Sequence, residues 1–254
     1  MQKDERNKIL VWDFPIRIFH GLFALSLGAA LVLGLTSDDH SPLFAWHIFF
    51  GIVSGFLLIV RILIGLISKG PASLSELLKS PFKAIAYLKS LVSGKPTQEG
   101  GHNPLASLTY LAMFCLLGLV LLTGFNMQSE FAEESHEALA LALLATILLH
   151  LAGIAFHTIY HKENVALSMA TGRKVGPKSQ AIPSGRLVLG VAVLAISALF
   201  IAQLGQNFEP SSPSLTIPWI NAKVSTGEGD GECGDHEEKR DERHHGHHEE
   251  DDDD

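Results

Sequence analysis

Six histidines of this chain lie in or at the ends of apolar runs: His20, His47, His102, His136, His150 and His157. An imidazole placed in hydrocarbon costs several kcal/mol unless it is hydrogen-bonded or ligates a metal, so each is a candidate site residue. His150 follows His136 by fourteen residues (150 − 136), a step of about 21 Å along a helix that returns to nearly the same face. Arg61 follows His47 by the same interval (61 − 47). Evenly spaced neutral imidazoles are the ligands of choice for a transition metal. The question is which elements would carry them and at what depth.

Those elements are membrane spans. The chain has 254 residues, 47% hydrophobic and 18% charged, too apolar for an ordinary soluble domain. Five apolar segments, near 18–35, 43–67, 105–125, 138–160 and 187–204, approach the roughly 20 helical residues that cross a hydrocarbon core. The first is longer than a signal-peptide core and a second follows at once, so it is expected to be retained. The loops after spans two and four carry Lys69, Lys79, Lys83, Lys89, Lys95, Lys162, Arg173, Lys174, Lys178 and Arg186. Those after spans one and three, "TSDDHSP" and "NMQSEFAEES", have no Lys or Arg. Basic loops stay inside. The N-terminus is therefore expected inside and the C-terminal tail outside. The stretch "PASLSELLKSPFKAIAYLKSLVSG" reads as an amphipathic helix, lying on the inner lipid surface or packed on the bundle.

With that topology the histidines sort by depth. His47 and His136 fall at the outer level, His20 and His150 at the inner one. Two facing imidazoles at each of two levels in one bundle are what two axially ligated haems require. Two zinc sites are the competing reading, but zinc takes four ligands, usually with carboxylate or thiolate, and no acidic residue stands at mid-depth. Arg17, one turn from His20, and Arg61, at the inner level, can pair bidentately with haem propionates or snorkel to the interface. Gly51, Gly55, Gly118, Gly124 and Gly153 can clear space for a macrocycle or simply allow close helix packing.

The stretches "VWDFPIRIFH", "WHIFFGIVSGFLLIVRILIG", "GHNPLASLTYLAM", "LLTGF" and "HEALALALLATILLHLAGIAFHTIYHKENVALSMATG" resemble the bacterial cytochrome b561 family, which includes the cytochrome b subunits of nickel–iron hydrogenases. The resemblance covers roughly residues 10–173. It implies a four-helix membrane core with two b-type haems that carries electrons, with ligands at His20, His47, His136 and His150. His157 matches a recurrent family histidine and remains a substitute for His150. His102, in "GHNP", is placed to touch an inner propionate, to touch a bound quinone, or to cap its helix with Asn103.

The expected fold is therefore all-α. Residues 1–175 form an integral-membrane four-helix bundle binding two haems b. Residues 176–208 form a linker and a fifth transmembrane helix, and 209–254 a disordered, acidic, His-rich tail. That tail holds most of the acidic excess behind the net charge of −8. "ECGDHEEKR" lacks the second cysteine of a CxxCH motif, and two cysteines in all exclude a disulfide scaffold. The leading function is a bacterial inner-membrane electron-transfer subunit rather than a stand-alone enzyme. It would work between quinone or quinol and a redox partner protein, such as a c-type cytochrome or a hydrogenase-like dehydrogenase. A self-sufficient superoxide:quinone oxidoreductase using the same haems is an alternative, and a haem-free membrane metal-binding or transport protein is a minor one. No nucleic-acid partner is expected.

Overall fold

The computed structural model describes residues 7–38, 41–68, 72–93, 104–127, 129–162, 164–176, 181–211 and 214–225. Five helices in it are long and apolar enough to cross a membrane. They are α1 (Phe14–Thr36), α2 (Pro42–Ile67), α5 (Pro104–Gly124), α6 (Glu130–His161) and α8 (Leu187–Gln206). Two short helices, α3 (Leu74–Leu78) and α4 (Ser80–Val92), lie between α2 and α5, and α7 (Val165–Thr171) follows α6.

Polar caps set where the spans begin. Asp13 accepts from the Ile16 amide and precedes Pro15 in the first turn of α1; Ser41 caps α2 ahead of Pro42. Both pairings fit the orphan donors of a helix start, where proline costs nothing. Ser129 caps α6 with Glu130 and Glu133 in its first turn, which favours that end of the dipole. Pro81 separates α3 from α4, because it has no amide to continue the ladder.

The helices pack as two hairpins, α1 on α2 and α5 on α6, with α8 laid against α1 and α2 and α4 against α5. The hairpins meet chiefly through α2 and α5. One apolar core joins Phe19 of α1, Phe49, Val53 and Leu57 of α2, and Val193, Phe200 and Leu204 of α8. A smaller one joins Leu27, Leu117 and Leu143 across α1, α5 and α6. Leu25, Leu122, Leu149, Phe156 and Ile159 point outward and exposed, as lipid-facing residues do.

Two small sheets frame the bundle. At one end, here called basal, β1 (Asn7–Leu10) pairs antiparallel with β2 (Arg173–Gly176), Asn7 opposite Gly176. Gly172 closes this junction at φ +79, where an added Cβ would stand 2.9 Å from the Trp12 carbonyl oxygen. Arg186 then ties the basal ends of three spans together. Its Nη1 donates to Ser68 Oγ at 2.9 Å and reaches Asp13 Oδ2 at 3.5 Å, while Nη2 donates to the Ile67 carbonyl at 2.9 Å. At the opposite, distal end, β3 (Ser214–Ile217) pairs with β4 (Ala222–Ser225).

That second hairpin corrects the expected tail. Residues 214–225 are not part of a low-complexity extension but fold back on the bundle. Leu215 and Ile217 join the main core, Trp219 packs on Phe56 and Phe200, and its indole N–H donates to Gln203. Alternation of Leu215 and Ile217 with Thr216, just before a Pro-Trp-Ile-Asn turn, gives a strand one buried face. The His-rich segment 226–254, with Cys233, lies outside the described residues.

Candidate functional site

The site grows from the way each hairpin presents its histidines. His47 opens the second turn of α2, where its ring stacks on Phe44 at 5.2 Å and leans onto α1. Its Nδ1 lies 2.8 Å from the Ala30 carbonyl oxygen. His136, in the second turn of α6, leans the same way onto α5. Its Nδ1 lies 3.0 Å from the Val120 carbonyl oxygen and 3.2 Å from Thr123 Oγ1. A carbonyl oxygen carries no proton, so in both rings Nδ1 is the donor and Nε2 of the neutral imidazole is left with its lone pair. The two ring centroids stand 6.2 Å apart with planes at 84°.

That spacing suits one metal between them. Two metal–imidazole bonds of about 2 Å each, with roughly 1 Å from ring nitrogen to ring centre on either side, sum to about 6 Å. Among the described residues no three His, Cys, Asp or Glu side chains converge on a point. The donor set between α2 and α6 is a pair, which fits a metal that brings further ligands of its own.

The second pair sits toward the basal end. His20 of α1 and His150 of α6 are half-buried and within electrostatic reach of each other. Tyr110 of α5 meets the His150 ring edge-on at 5.4 Å and 73°. Neither ring has a hydrogen-bond partner among the described residues. His157 lies seven residues beyond His150 on α6, about 10 Å further along the axis. His102 and His40 lie outside the described residues.

Of the two arginines, Arg61 holds its guanidinium over the Phe114 ring at 5.7 Å and runs beside Gly65. Arg17 donates to the Ala170 carbonyl at the end of α7 and lies near Phe14, but its buried Nε has no hydrogen-bond partner among the described residues. An orphaned, buried guanidinium N–H beside His20 is a ready donor to a carboxylate.

The glycines divide into three kinds. A Cβ at Gly51, one turn beyond His47, at Gly153, one turn beyond His150, or at Gly118 would meet no other side chain within 4 Å. Such open faces fit a flat macrocycle. A Cβ at Gly55 would instead meet Leu121 at 3.2 Å, a helix-to-helix approach. A Cβ added at Gly124 would stand 3.1 Å from the His136 ring, and one at Gly34, unremarked in the sequence, 2.7 Å from the His47 ring. Tyr110 and Thr123 are likewise site residues that the sequence reading missed. Their roles depend on how neighbouring helices register, which periodicity within one helix does not encode.

The model of the prokaryotic cytochrome b561 family matches residues 11–172, or 162 of 254 residues (172 − 11 + 1). The chain belongs to the prokaryotic cytochrome b561 family. Comparison with curated proteins and with solved structures gave no match. Cytochromes b561 are haem b proteins of the bacterial membrane that transfer electrons, and the five apolar helices make this chain a multi-pass member. The family match runs from Val11 through α7 and stops at Gly172, so α8 and the distal β-hairpin lie outside it.

Proposed function

We propose that this cytochrome b561 holds two haems b, one between His47 and His136 and one between His20 and His150, and passes electrons between a quinone pool and a redox partner protein. The observation that carries the reading is the distal pair. Two imidazoles stand 6.2 Å apart, each with Nδ1 committed to a backbone carbonyl, and such outer hydrogen bonds are how ligating histidines are oriented toward a metal.

Bound haem supplies reversible one-electron chemistry at iron, and the protein supplies spacing, environment and access. Gly51, Gly118 and Gly153 leave room for the rings. The free Nε of Arg17 and the guanidinium of Arg61 hold propionates at the basal level, and His102, two residues before Pro104 in the sequence, is a further candidate for a propionate or a quinone. Residues 1–175 act as the haem-binding unit, 176–208 as linker and fifth span, and the remainder faces the periplasm. The N-terminus and the lysine-bearing α3–α4 segment face the cytoplasm. This orientation follows from the basic residues gathered at the basal end, where β1, β2 and Arg186 also meet.

The purified protein in lipid vesicles tests the reading. Quinol added under anaerobic conditions is expected to reduce part of the haem that dithionite reduces, followed at the α-band. Full dithionite reduction with none by ubiquinol or menaquinol would remove the quinone pool from the account.

A further inference from the structure

The two hairpins carry the same device at their distal ends. In α1, Ala30 and Gly34 are one turn apart; in α5, Val120 and Gly124 are one turn apart. Gly34 precedes His47 by thirteen residues (47 − 34), and Gly124 precedes His136 by twelve (136 − 124). In each helix the carbonyl of the first residue already accepts the amide of the second, four residues on. A carbonyl has a second lone pair, but a Cβ four residues later leans back over it, because side chains tilt toward the helix N-terminus. Glycine removes that cover.

The distances show how tight the seat is. A Cβ at position 34 would stand 2.7 Å from His47 Nδ1 and 2.8 Å from Cε1. At position 124 it would stand 3.1 Å from His136 Cε1 and 3.3 Å from Nδ1. Thr123 reinforces the second seat. Its hydroxyl lies 3.1 Å from the Leu119 and 3.0 Å from the Val120 carbonyl, to which it donates, and its oxygen accepts from His136. Among the described residues nothing comparable holds the basal pair: His150 meets the edge of Tyr110 and His20 has no hydrogen bond.

We propose that Gly34 and Gly124 are positioning residues that open the Ala30 and Val120 carbonyls to the Nδ1 protons of His47 and His136, and that these two bonds make the distal haem the lower-potential of the two. The inference rests on the axial assignment above. The chemistry is that of ligand basicity: an imidazole donating its Nδ1 proton is a stronger donor through Nε2. A stronger axial donor favours ferric over ferrous iron, and second-shell hydrogen bonding is one of the levers on haem potential. The basal haem, whose imidazoles have no such acceptor among the described residues, stays higher.

The test uses the full-length purified protein and Gly34→Ala, Gly124→Ala, Thr123→Val and His47→Ala variants, followed by spectroelectrochemical titration and low-temperature EPR. His47→Ala identifies the distal haem by which wave it removes, and that wave is expected to be the lower one. In both alanine variants the lower wave moves to more positive potential, or its low-spin EPR signal is lost, while the higher wave stays in place and reports an intact fold. Thr123→Val, nearly isosteric and leaving the Val120 carbonyl in place, moves the lower wave the same way by a smaller amount. An unchanged lower wave in all three seat variants, or removal of the higher wave by His47→Ala, overturns the proposal. Survival of both waves in His47→Ala overturns the axial assignment itself, a distinct failure.

Discussion

His47 and His136 reach toward each other from different hairpins, 6.2 Å between ring centres, and each is fastened by Nδ1 to the helix preceding its own. The pair depends on two interhelical registers at once: α1 against α2, and α5 against α6. Perturbing either register should therefore be felt as a change in haem, whereas perturbing elements outside the two hairpins should not.

The fifth span supplies the first case. Gly190 of α8 lies against Phe14 of α1, and a Cβ there would stand 2.2 Å from the ring. Gly190→Ala must push α8 away from α1 and lower the thermal midpoint in detergent. Haem content per chain should remain that of the parent, because the proposed haem-binding unit is residues 1–175. A loss of haem as large as that from a histidine replacement would place α8 within the haem-binding unit.

Asp13 supplies the second. It is buried, caps α1 and faces Arg186. Asp13→Ala should cost about 1–2 kcal/mol, the worth of a helix cap in a well-packed setting, measured as a lowered midpoint of unfolding. Asp13→Asn, which keeps an acceptor for the Ile16 amide, should recover most of that cost. Equal losses in the two variants would mean that the charge facing Arg186, rather than the cap, carries the stability.

Between α1 and α2, Ser54 Oγ donates to the Phe50 carbonyl at 2.8 Å and stands 3.1 Å from Ser26 Oγ. Interhelical hydrogen bonds in membranes average only about 0.6 kcal/mol. Ser54→Ala and Ser26→Ala should each cost on the order of that value. The double variant should cost less than their sum, since removing both partners leaves no polar group unpaired. Strict additivity in the double-mutant cycle would show that the two hydroxyls do not interact.

Orientation is open to direct labelling. In a Cys233→Ser background, Ser129→Cys at the cap of α6 should react with an impermeant maleimide in spheroplasts. Lys83→Cys on α4 should react only after lysis. The reverse pattern would invert the topology read from the basic loops.

Much of this was legible in the residues themselves. The five spans follow from run length, and their observed bounds differ from the expected ones mainly at α6. It begins at Glu130 rather than near 138, because its first two turns, with Glu130, Glu133 and Glu134, are polar and capped by Ser129. A hydropathy threshold cannot see helix that projects beyond lipid. That His47 and His136 meet at one end was legible because a helix advances by a fixed rise. The seats of Gly34 and Gly124 were not, since a glycine's partner lies on another helix. The four-residue strands β1 to β4 were also hidden, being too short for a clear alternating pattern and paired over long stretches of chain or across a tight turn.

Haem b per chain is the most direct measure of the central claim, determined by pyridine haemochrome assay on the parent, His47→Ala and His20→Ala proteins. Two haems are expected in the parent and one in each variant, with His47→Ala and His20→Ala removing spectroscopically different haems. A parent with a single haem, or variants that both keep the parent's content, would contradict it.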